Sequence, residues 1–253
     1  MSRNILTGLI GAWCPSLGPS GYTLLDRSGR GNHGTLRNTD ATFWQGSRFG
    51  WSMKFDGTND YVDFVDVPVL RLEGVSWSWA FWINPSLLSK YQAFIAHDSN
   101  VTQNPLYEIG IDNTNRLYIY NQSVIIIGSI MVADWQHCVV TGEIINATQM
   151  TVTLFQNGVS TATGTYAIFG SSRGQRLRFG VDAESGAGQS GYATASMSDI
   201  GLWARCLRSS DIRRLYEYQG GGLGRLLTQR AQRRVFRTAT GNRRRRLICG
   251  AEC

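Results

Sequence analysis

The sequence predicts an all-β protein, a sandwich of two antiparallel sheets followed by one short helix and a basic C-terminal arm. Three observations predict it. The 253 residues include 29 glycines, 8 tryptophans and 10 tyrosines but only 17% charged residues, which favours short strands and tight turns over helices. Apolar residues alternate over short runs that are separated by clusters of Gly, Asn, Asp or Ser. The length suits one large sandwich with an appendage rather than two full domains.

The segment VSWSWAFWIN shows the strand pattern most clearly. Its large apolar residues fall on one face with a period of two, and Trp82 is the exception on the opposite face. The apolar face consists of Val75, Trp77, Trp79, Phe81 and Ile83. Similar runs predict strands at AFIAH, LYEIGI, RLYIYN, VIIIGSIM, WQHCVVTGEI, MTVTLFQ, LRFGV and SMSDIGLW. Asn157-Gly158 predicts a hairpin turn. The longest apolar run, Val124 to Met131, is too short for a membrane helix and predicts a buried strand.

One helix follows the last strand, in SSDIRRLYEYQGGG. Ser209 or Ser210 is expected to cap it, and Ile212, Leu215 and Tyr216 form an apolar face at helical spacing. Three consecutive glycines end the helix, and the composition changes abruptly beyond them.

Charge is distributed unevenly along the chain. The formal net charge is +7, but residues 1–212 hold 14 Lys and Arg against 16 Asp and Glu, whereas residues 213–253 hold 11 against 2. An argument from charge to a polyanionic partner therefore concerns only the C-terminal part. We predict a β-sandwich over residues 1–219 and a glycine-hinged, arginine-rich arm over residues 220–253.

The arm interleaves arginines with apolar residues. This pattern favours a segment that packs on a neighbouring subunit while its arginines pair with an acidic surface. The residues expected to anchor it are Leu226, Leu227, Arg230, Arg233, Arg234, Phe236, Arg237, Arg243, Arg244, Arg245 and Arg246. Nucleic-acid binding through the same arginines and a solvated extension stay open as alternatives.

Several motifs, in order, resemble one family. GLIGAWCP, LLDRSGRGNHGTL, SMKFDGTNDYVDF, VSWSWAFWINP, WQHCVVTGE and SDIGLWARCLRSSDIRRLYE are similar to successive segments of the laminin-G-like jelly roll, in the branch close to pentraxins and concanavalin-A-like lectins. The resemblance runs from about Leu9 to Tyr218 and implies a concanavalin-A-like jelly-roll sandwich of lectin-like character. Cys14 and Cys206, in the terminal strands, and the arginine-rich arm depart from the family pattern.

The loop from Asp26 to Gly34 offers a carboxylate, the amide oxygen of Asn32 and several backbone carbonyls, the hard oxygen ligands that Ca²⁺ prefers. The resemblance implies a structural calcium ion near the closing strand, which would add Asp199. Ca²⁺ is the cofactor we expect. The alternative is an Asx-turn in which Asp26 and Asn32 hydrogen-bond their own backbone.

A second acidic loop contains Asp56, Asn59 and Asp60, with Asp63 beyond it. The resemblance to pentraxin-like proteins implies a second cation site or a glycan contact there, and a hairpin turn with solvated carboxylates is the alternative. Glycan binding also needs an aromatic platform beside polar groups. The aromatic candidates are Trp44, Tyr107, Tyr118 and Tyr120.

The sequence contains no recognisable catalytic constellation. Glu108 and Asp112, in EIGID, would lie on one strand face about 13 Å apart, beyond the separation of about 5 to 9.5 Å that glycoside hydrolysis uses. The histidines, His33, His97 and His137, accompany no serine elbow, and no HExxH or phosphate-binding GxxxxGK motif occurs. We therefore expect that the protein is not an enzyme.

Five irregularly spaced cysteines do not form a disulfide framework, and we expect free or buried thiols. A bridge between Cys14 and Cys206 is compatible with neighbouring terminal strands but is not predicted. The first residues, MSRNILTGLIGAWCPSLG, contain no long apolar run and no small-residue cleavage site, so we expect no secretion signal.

These observations lead to a hypothesis for function. We expect a non-catalytic structural protein of a bacteriophage virion, a head decoration or a fibre, made in the host cytoplasm, because laminin-G-like domains occur on tailed phages. The arm would dock on capsid or tail proteins in a homo-oligomer, with the sandwich turned towards host glycans. The alternative is a cellular calcium-dependent carbohydrate-binding or adhesion module, extracellular or at the cell surface. Nucleic-acid binding and membrane insertion are not expected.

Overall fold

A computed structural model of the protein describes residues 4–98, 106–121, 124–169, 175–182, 191–218 and 222–228. Over these residues two sheets of eight strands each form a sandwich, and every strand pairing is antiparallel. The predicted all-β, two-sheet antiparallel jelly-roll sandwich is confirmed.

The strands are numbered in chain order. They are β1 (Leu9–Trp13), β2 (Thr23–Leu24), β3 (Gly34–Arg37), β4 (Trp44–Ser47), β5 (Gly50–Asp56), β6 (Tyr61–Phe64), β7 (Trp77–Pro85), β8 (Gln92–His97), β9 (Tyr107–Ile111), β10 (Arg116–Asn121), β11 (Val124–Ile130), β12 (Gln136–Ile144), β13 (Gln149–Gln156), β14 (Val159–Ala167), β15 (Leu177–Phe179) and β16 (Thr194–Trp203). Sheet A has the order β14-β13-β12-β7-β16-β5-β4, with β1 also paired to β16. Sheet B has the order β11-β10-β9-β8-β15-β6-β3-β2. Short 3-10 turns occupy Pro15–Leu17 and Pro68–Leu70.

The main core lies between the inner faces of the two sheets. Trp77, Trp79, Phe81 and Ile83 of β7 are fully buried in it, which confirms the face that the period-two pattern predicts. Val75, the first residue of that pattern, precedes the strand and is exposed.

Trp13 of β1 joins the two sheets at the centre of this core. Its ring centroid lies 6.0 Å from that of Trp79 in sheet A, and 5.0 and 5.2 Å from those of Phe64 and Phe179 in sheet B. Its indole N–H donates to the carbonyl of Asn32 at 2.8 Å. The same side chain therefore ties the loop from Asp26 to Gly34, which we call the first glycine-rich loop, to the core.

The predicted hairpin at Asn157-Gly158 joins β13 to β14. Both residues have positive φ, 51° and 82°, as the two central residues of a type I′ turn require. The strands pair from Gln156 and Val159, next to the turn, outwards, with one register shift between Phe155 and Leu154. The hairpin prediction is confirmed.

The long apolar run that begins at Val124 is not a buried strand throughout, so that prediction is wrong in part. Its strand, β11, stands at the edge of sheet B and pairs with β10. Ile126 is buried, but Ile125 is 46% exposed and Ile130 is 64% exposed. Successive side chains of a strand point to opposite faces of the sheet, so in a run of consecutive isoleucines those on the uncovered outer face meet solvent.

Helix α1 spans Ser209–Glu217 and packs on the outer face of sheet A. Ile212 and Leu215 are buried, as the helical spacing predicts. The predicted serine cap is wrong because Ser209 is already the first helical residue and Arg208 takes the N-cap position. The carboxylate of Asp211 accepts the backbone N–H of Arg208 instead, at 3.5 Å.

A second apolar cluster covers part of the outer face of sheet A. Residues 222–228, which the sequence assigns to the arm, are helical and contribute Leu223 and Leu226 to it. Trp82 is buried on this same face, 6.0 Å from the ring of Tyr216, which explains its exceptional position in β7. The buried members of the cluster are Ile5, Leu9, Ala12, Cys14, Ala80, Val139, Trp203, Leu207, Ile212, Leu215, Leu223 and Leu226. None of the helices in the described part of the chain has the length and apolar character needed to cross a membrane.

Gly201 of β16 connects sheet A to this cluster, and Gly201→Ala is expected to destabilise the protein by roughly 1 to 3 kcal/mol. An added Cβ would come 2.5 Å from the Trp203 ring and 2.8 Å from Leu223. The matched control is Gly46→Ala in β4, where an added Cβ meets no atom within 4 Å. Urea unfolding measures both; equal stabilities for the two variants would contradict the prediction.

Candidate functional site

The carboxylate of Asp26 organises the first glycine-rich loop. Its Oδ1 accepts the N–H groups of Ala12 (2.9 Å) and Ser28 (2.8 Å). Its Oδ2 accepts the hydroxyl of Ser28 (2.8 Å) and the N–H of Asn32 (3.0 Å). The side-chain amide of Asn32 donates to the carbonyl of Ile10 at 2.8 Å. This is the arrangement of an Asx-turn, and donors already occupy the carboxylate lone pairs that a calcium ion would use.

Asp199, the third residue of the predicted calcium site, is buried in β16 with a positive φ of 46°. Its carboxylate accepts the hydroxyl of Ser16 and, at 3.3 Å, the N–H of Gly224. Burial raises the pKa of Asp199. Among the described residues no three His, Cys, Asp or Glu side chains are grouped to hold a metal ion. Calcium binding by Asp26, Asn32 and Asp199 stays a prediction, and it requires that the present donors be displaced.

The second acidic loop forms the turn between β5 and β6. Oδ1 of Asp56 accepts the N–H groups of Thr58 (2.8 Å), Asn59 (3.1 Å) and Asp60 (3.3 Å). Burial acts to raise the pKa of Asp56, but these hydrogen bonds lower it overall. Burial and the negative charge of Asp56 raise the pKa of Asp60 to about 6. The geometry is that of a tight turn, and a cation or glycan contact at Asp56, Asn59 and Asp60 stays a prediction.

Sheet B carries a network of ion pairs around Asp63, which was not predicted from the sequence. This buried carboxylate lies 3.7 Å from Arg37, 2.5 Å from Arg176 and 3.6 Å from Arg178. Arg178 also pairs with Asp98 at 3.4 Å. Burial raises the pKa of Asp98 to about 6, although Arg178 acts in the opposite direction. The network depends on strands that are far apart in sequence, so no local motif reveals it.

A cleft of about 530 Å³ opens on sheet B, and we call it the sheet cleft. Ala93 of β8 stands directly opposite Gly110 of β9 in the register, so two of the smallest residues lie side by side here. The lining residues are Lys90, Tyr91, Gln92, Ala93, Glu108, Asn113, Tyr118, Asp182 and Gly191. The cleft thus combines aromatic rings with an ammonium group, amides and carboxylates.

Two tyrosines supply the aromatic part of the sheet cleft. Tyr91 is 53% exposed, and its ring centroid lies 6.3 Å from that of the buried Tyr118 in an edge-to-face contact. The hydroxyl of Tyr118 donates to the carboxylate of Glu108. Burial, and then the negative charge of Glu108, raise the pKa of Tyr118. A Cβ on Gly110 would come 2.0 Å from the carbonyl of Gln92 and 3.1 Å from the Tyr118 hydroxyl, so this arrangement requires glycine.

The four aromatic residues proposed to contact a glycan differ in their burial and position. Tyr118 borders the sheet cleft, and Tyr120, two residues further along β10, is half-buried. Tyr107 is fully buried in the main core, and Trp44 is partly buried against it from β4. Tyr91 was not a candidate, because it lies just before β8 in a segment without an alternating pattern.

Glu108 and Asp112 have separate structural positions. Glu108 lies within β9 and accepts the Tyr118 hydroxyl, as described above. Asp112 follows the end of β9 and accepts the N–H groups of Thr114 (2.8 Å) and Arg116 (2.9 Å), which closes a turn. Asp112 therefore serves the chain reversal between β9 and β10.

The three histidines are held by structural contacts. Nδ1 of His33 accepts the N–H of Asp26 at 2.9 Å. His97 is buried with its ring centroid 5.8 Å from that of Tyr107, and burial lowers its pKa. His137 is buried 5.1 Å from the Trp82 ring, and burial lowers its pKa to about 3. A neutral imidazole at His137 is therefore expected at every physiological pH.

Two of the predicted anchoring residues are described. Leu226 is buried in the second cluster of this same chain, and Leu227 packs against it. The others lie outside the described residues: Arg230, Arg233, Arg234, Phe236, Arg237, Arg243, Arg244, Arg245 and Arg246. Cys14, Cys138 and Cys206 are free thiols, and Cys14 and Cys138 are buried.

Asp26→Ala is expected to lower the free energy of unfolding by about 2 to 4 kcal/mol, because buried donors lose a charged acceptor. Asp26→Asn, which keeps one oxygen, should lose less. Urea unfolding with and without added Ca²⁺ measures both effects. A calcium-dependent rise in the unfolding midpoint of the wild type that Asp26→Asn abolishes would establish the calcium site, and a loss below about 1 kcal/mol for Asp26→Ala would contradict the structural role.

Asp60→Asn is expected to stabilise the protein at neutral pH. Because the native pKa of Asp60 is raised to about 6 from 3.8, the native state holds more protons than the unfolded state between these values, and Asp60 makes stability fall as pH rises through this window. The variant should gain on the order of 1 kcal/mol above pH 6 and little below pH 4, solvent screening reducing the full effect. A gain that does not change with pH would contradict this assignment.

A model of one protein family matches the chain. The family is described as the concanavalin A-like lectin/glucanases superfamily, and it matches residues 56–213, more than half of the chain. No curated protein sequence matches the chain.

Solved structures share the fold. The binding domain of botulinum neurotoxin DC, in complex with SialylT, gives a TM-score of 0.60 at 18% identity, covering 85% of this chain and 52% of that one. Trypanosoma rangeli sialidase gives 0.60 at 14% identity, covering 84% and 33%. Domain 4 of AbnA, an extracellular GH43 arabinanase from Geobacillus stearothermophilus, in complex with arabinotriose, gives 0.59 at 15% identity, covering 81% and 96%.

This chain spans about a third of the sialidase and about half of the neurotoxin binding domain, and at these identities the likeness is one of fold. The narrower resemblance to pentraxin-like proteins stays a prediction. The match over residues 56–213 and the two-sheet sandwich agree with one another. The chain belongs to the concanavalin A-like lectin/glucanase superfamily.

Proposed function

We propose that this protein binds carbohydrate, without catalysis, in the sheet cleft. The observation that carries the proposal is the exposed ring of Tyr91, held beside Tyr118 in a cleft that also presents Lys90, Asn113 and Glu108. Sugar rings bring an apolar C–H face and several hydroxyl groups, so they match an aromatic ring flanked by polar side chains.

The charge of the sheet cleft favours neutral saccharides. Lys90 is the cation among its lining residues, and Glu108 and Asp182 are the carboxylates. Carboxylates accept hydrogen bonds from sugar hydroxyls but repel acidic sugars at short range. We therefore expect a neutral oligosaccharide rather than a sialylated one.

The structural neighbours support carbohydrate as the ligand class. The arabinanase domain was solved with arabinotriose, and the neurotoxin binding domain with SialylT. The sialidase is an enzyme, but Glu108 and Asp112, whose spacing departs from the glycosidase pattern, bind a tyrosine hydroxyl and close a turn. This supports a non-catalytic function.

Tyr91→Ala is expected to weaken oligosaccharide binding roughly tenfold or more, because the exposed aromatic platform is lost. The free energy of unfolding should change by no more than about 0.5 kcal/mol, because no core contact is removed. Tyr22→Ala is the matched control, since Tyr22 is 76% exposed and does not line the cleft. An array of neutral and sialylated glycans identifies a ligand, and calorimetry compares the variants. Equal losses for both tyrosines, or binding only of sialylated glycans, would contradict the proposal.

We further propose that the protein is a structural component of a bacteriophage virion, anchored by its C-terminal arm to capsid or tail proteins. Residues 220–253 hold 9 arginines against 1 acidic residue, which favours a dedicated docking segment. A cellular calcium-dependent adhesion module, extracellular or at the cell surface, is the alternative. In both cases the sandwich displays the sheet cleft.

The anchoring proposal predicts incorporation of the full chain, but not of a chain ending at Thr228, into assembled particles at fixed stoichiometry. The truncation keeps Leu223 and Leu226, because their removal would expose the second cluster of the sandwich. Co-purification with particles and quantitative gel analysis measure it. Incorporation of both chains would contradict an anchoring arm, and incorporation of neither, with glycan binding intact, would favour the cellular alternative.

A further inference from the structure

One lateral side of the sandwich is built from segments without charged residues. Residues 117–133 and 144–172 contain no Asp, Glu, Lys or Arg, although 17% of the whole chain is charged. These segments supply β11, at one end of sheet B, and β14, at one end of sheet A, which we together call the uncharged edge. Exposed apolar residues occur on or beside it: Ile125, Ile130, Val132, Ile145 and Val159.

The hydrogen bonds show which backbone groups of β14 point away from the sheet. Thr148 lies opposite Ile168, and the N–H of Ile168 donates to the carbonyl of Thr148 at 3.0 Å, so these two residues form a hydrogen-bonded pair. Hydrogen-bonded and non-hydrogen-bonded pairs alternate along an antiparallel ladder, so Ala167 and every second residue before it make no backbone hydrogen bonds to β13. Ala167, Thr165 and Thr163 therefore direct their N–H and C=O groups to the outer side of β14.

The outer side of β14 is unpaired within the described part of the chain. β11 packs beneath β14 rather than beside it, since a Cβ on Gly164 would come 2.7 Å from Ile126. Edge strands that avoid pairing usually carry Lys, Pro, inward charges or bulges. The strand VSTATGTYA has no charge and no proline, and its one irregularity lies at the hairpin end, opposite Leu154 and Phe155.

We propose that two copies of this protein pair through β14 in antiparallel orientation, with Thr165 near the two-fold axis. Thr165 then opposes Thr165 of the second copy, and Thr163 opposes Ala167, which gives about six backbone hydrogen bonds. A second copy fits this edge because two uncharged surfaces meet without like-charge repulsion, and because three outward-facing residues centred on Thr165 are self-complementary. Apolar residues of the uncharged edge flank the contact.

The pairing places both sheet clefts on the same side of the dimer. In a continuous sheet formed by two antiparallel edge strands, the two-fold axis stands perpendicular to the sheet. The outer faces of both copies of sheet B then point in one direction. If the proposed function holds, the dimer engages a glycan-bearing surface at two points, and avidity exceeds the affinity of one cleft. The dimer itself does not depend on glycan binding.

The test is sedimentation equilibrium of the full chain over a wide concentration range. Thr165→Pro removes one outward N–H and should raise the dimer dissociation constant at least tenfold, whereas Thr165→Val keeps the N–H and the branched shape and should leave it unchanged. Thermal unfolding confirms that each variant is folded.

A second pair of variants keeps the test decisive where proline prevents folding. Thr165→Lys places two like charges across the axis and should abolish the dimer at low salt, with partial recovery at high salt. Thr151→Lys, at the cross-strand position in β13, places the same charge one strand further from the edge and should retain most of the dimer. The chain ending at Thr228 should dimerise like the full chain.

Three results would overturn the proposal. They are a wild type that stays monomeric at every concentration, a dimer that withstands both Thr165→Pro and Thr165→Lys, and a dimer that is lost when the chain ends at Thr228, which would assign association to the arm. Loss of glycan binding in Tyr91→Ala with the dimer intact concerns the sheet cleft alone, so the two proposals fail separately.

Discussion

The indole ring of Trp13 packs between Trp79 of sheet A and the Phe64 and Phe179 rings of sheet B, and the remaining structure is arranged around this contact. Each such aromatic pair contributes about 0.5 to 1.5 kcal/mol beyond the area that it buries. Gly11 leaves the space for the ring, since a Cβ there would come 2.3 Å from it. The indole N–H also holds the carbonyl of Asn32, so the position of the first glycine-rich loop is set by the core. Changes in that loop are therefore coupled to the packing of the sheets.

The outer faces of the two sheets differ in how far other segments cover them. Part of the outer face of sheet A is covered by α1 and residues 222–228, which bury Trp203, Leu223 and the rest of the second cluster. Sheet B carries the sheet cleft, where the small residues Ala93 and Gly110 lie side by side and Tyr91 is exposed. Residues just beyond the triple glycine therefore pack with the sandwich.

The carboxylates show how surroundings assign different tasks to one residue type. Asp26 accepts hydrogen bonds from backbone and hydroxyl donors and serves as a structural acceptor. Asp60 is buried beside the negative charge of Asp56. Both effects raise the pKa of Asp60 to about 6, so its ionised carboxylate destabilises the fold at neutral pH. Asp63 is surrounded by three arginines. Acidic loops that look alike in sequence therefore place their carboxylates in different surroundings, because neighbouring donors and charges come from distant strands.

Three features that depend on neighbouring residues can be predicted from the sequence: the buried face of β7, the turn at Asn157 and Gly158, and the apolar face of α1 at Ile212 and Leu215. Periodicity and turn conformation are local properties, so they are legible in a short segment. The sequence does not reveal that Tyr107 lies in the core while Tyr91 is exposed, that β11 is an edge strand, or that the Asp26 oxygens already accept hydrogen bonds. These outcomes depend on contacts between distant segments, as when the Trp203 N–H donates to the carbonyl of Ile5 at 2.8 Å, and burial of that kind is fixed by the packing of whole sheets rather than by any single stretch of chain.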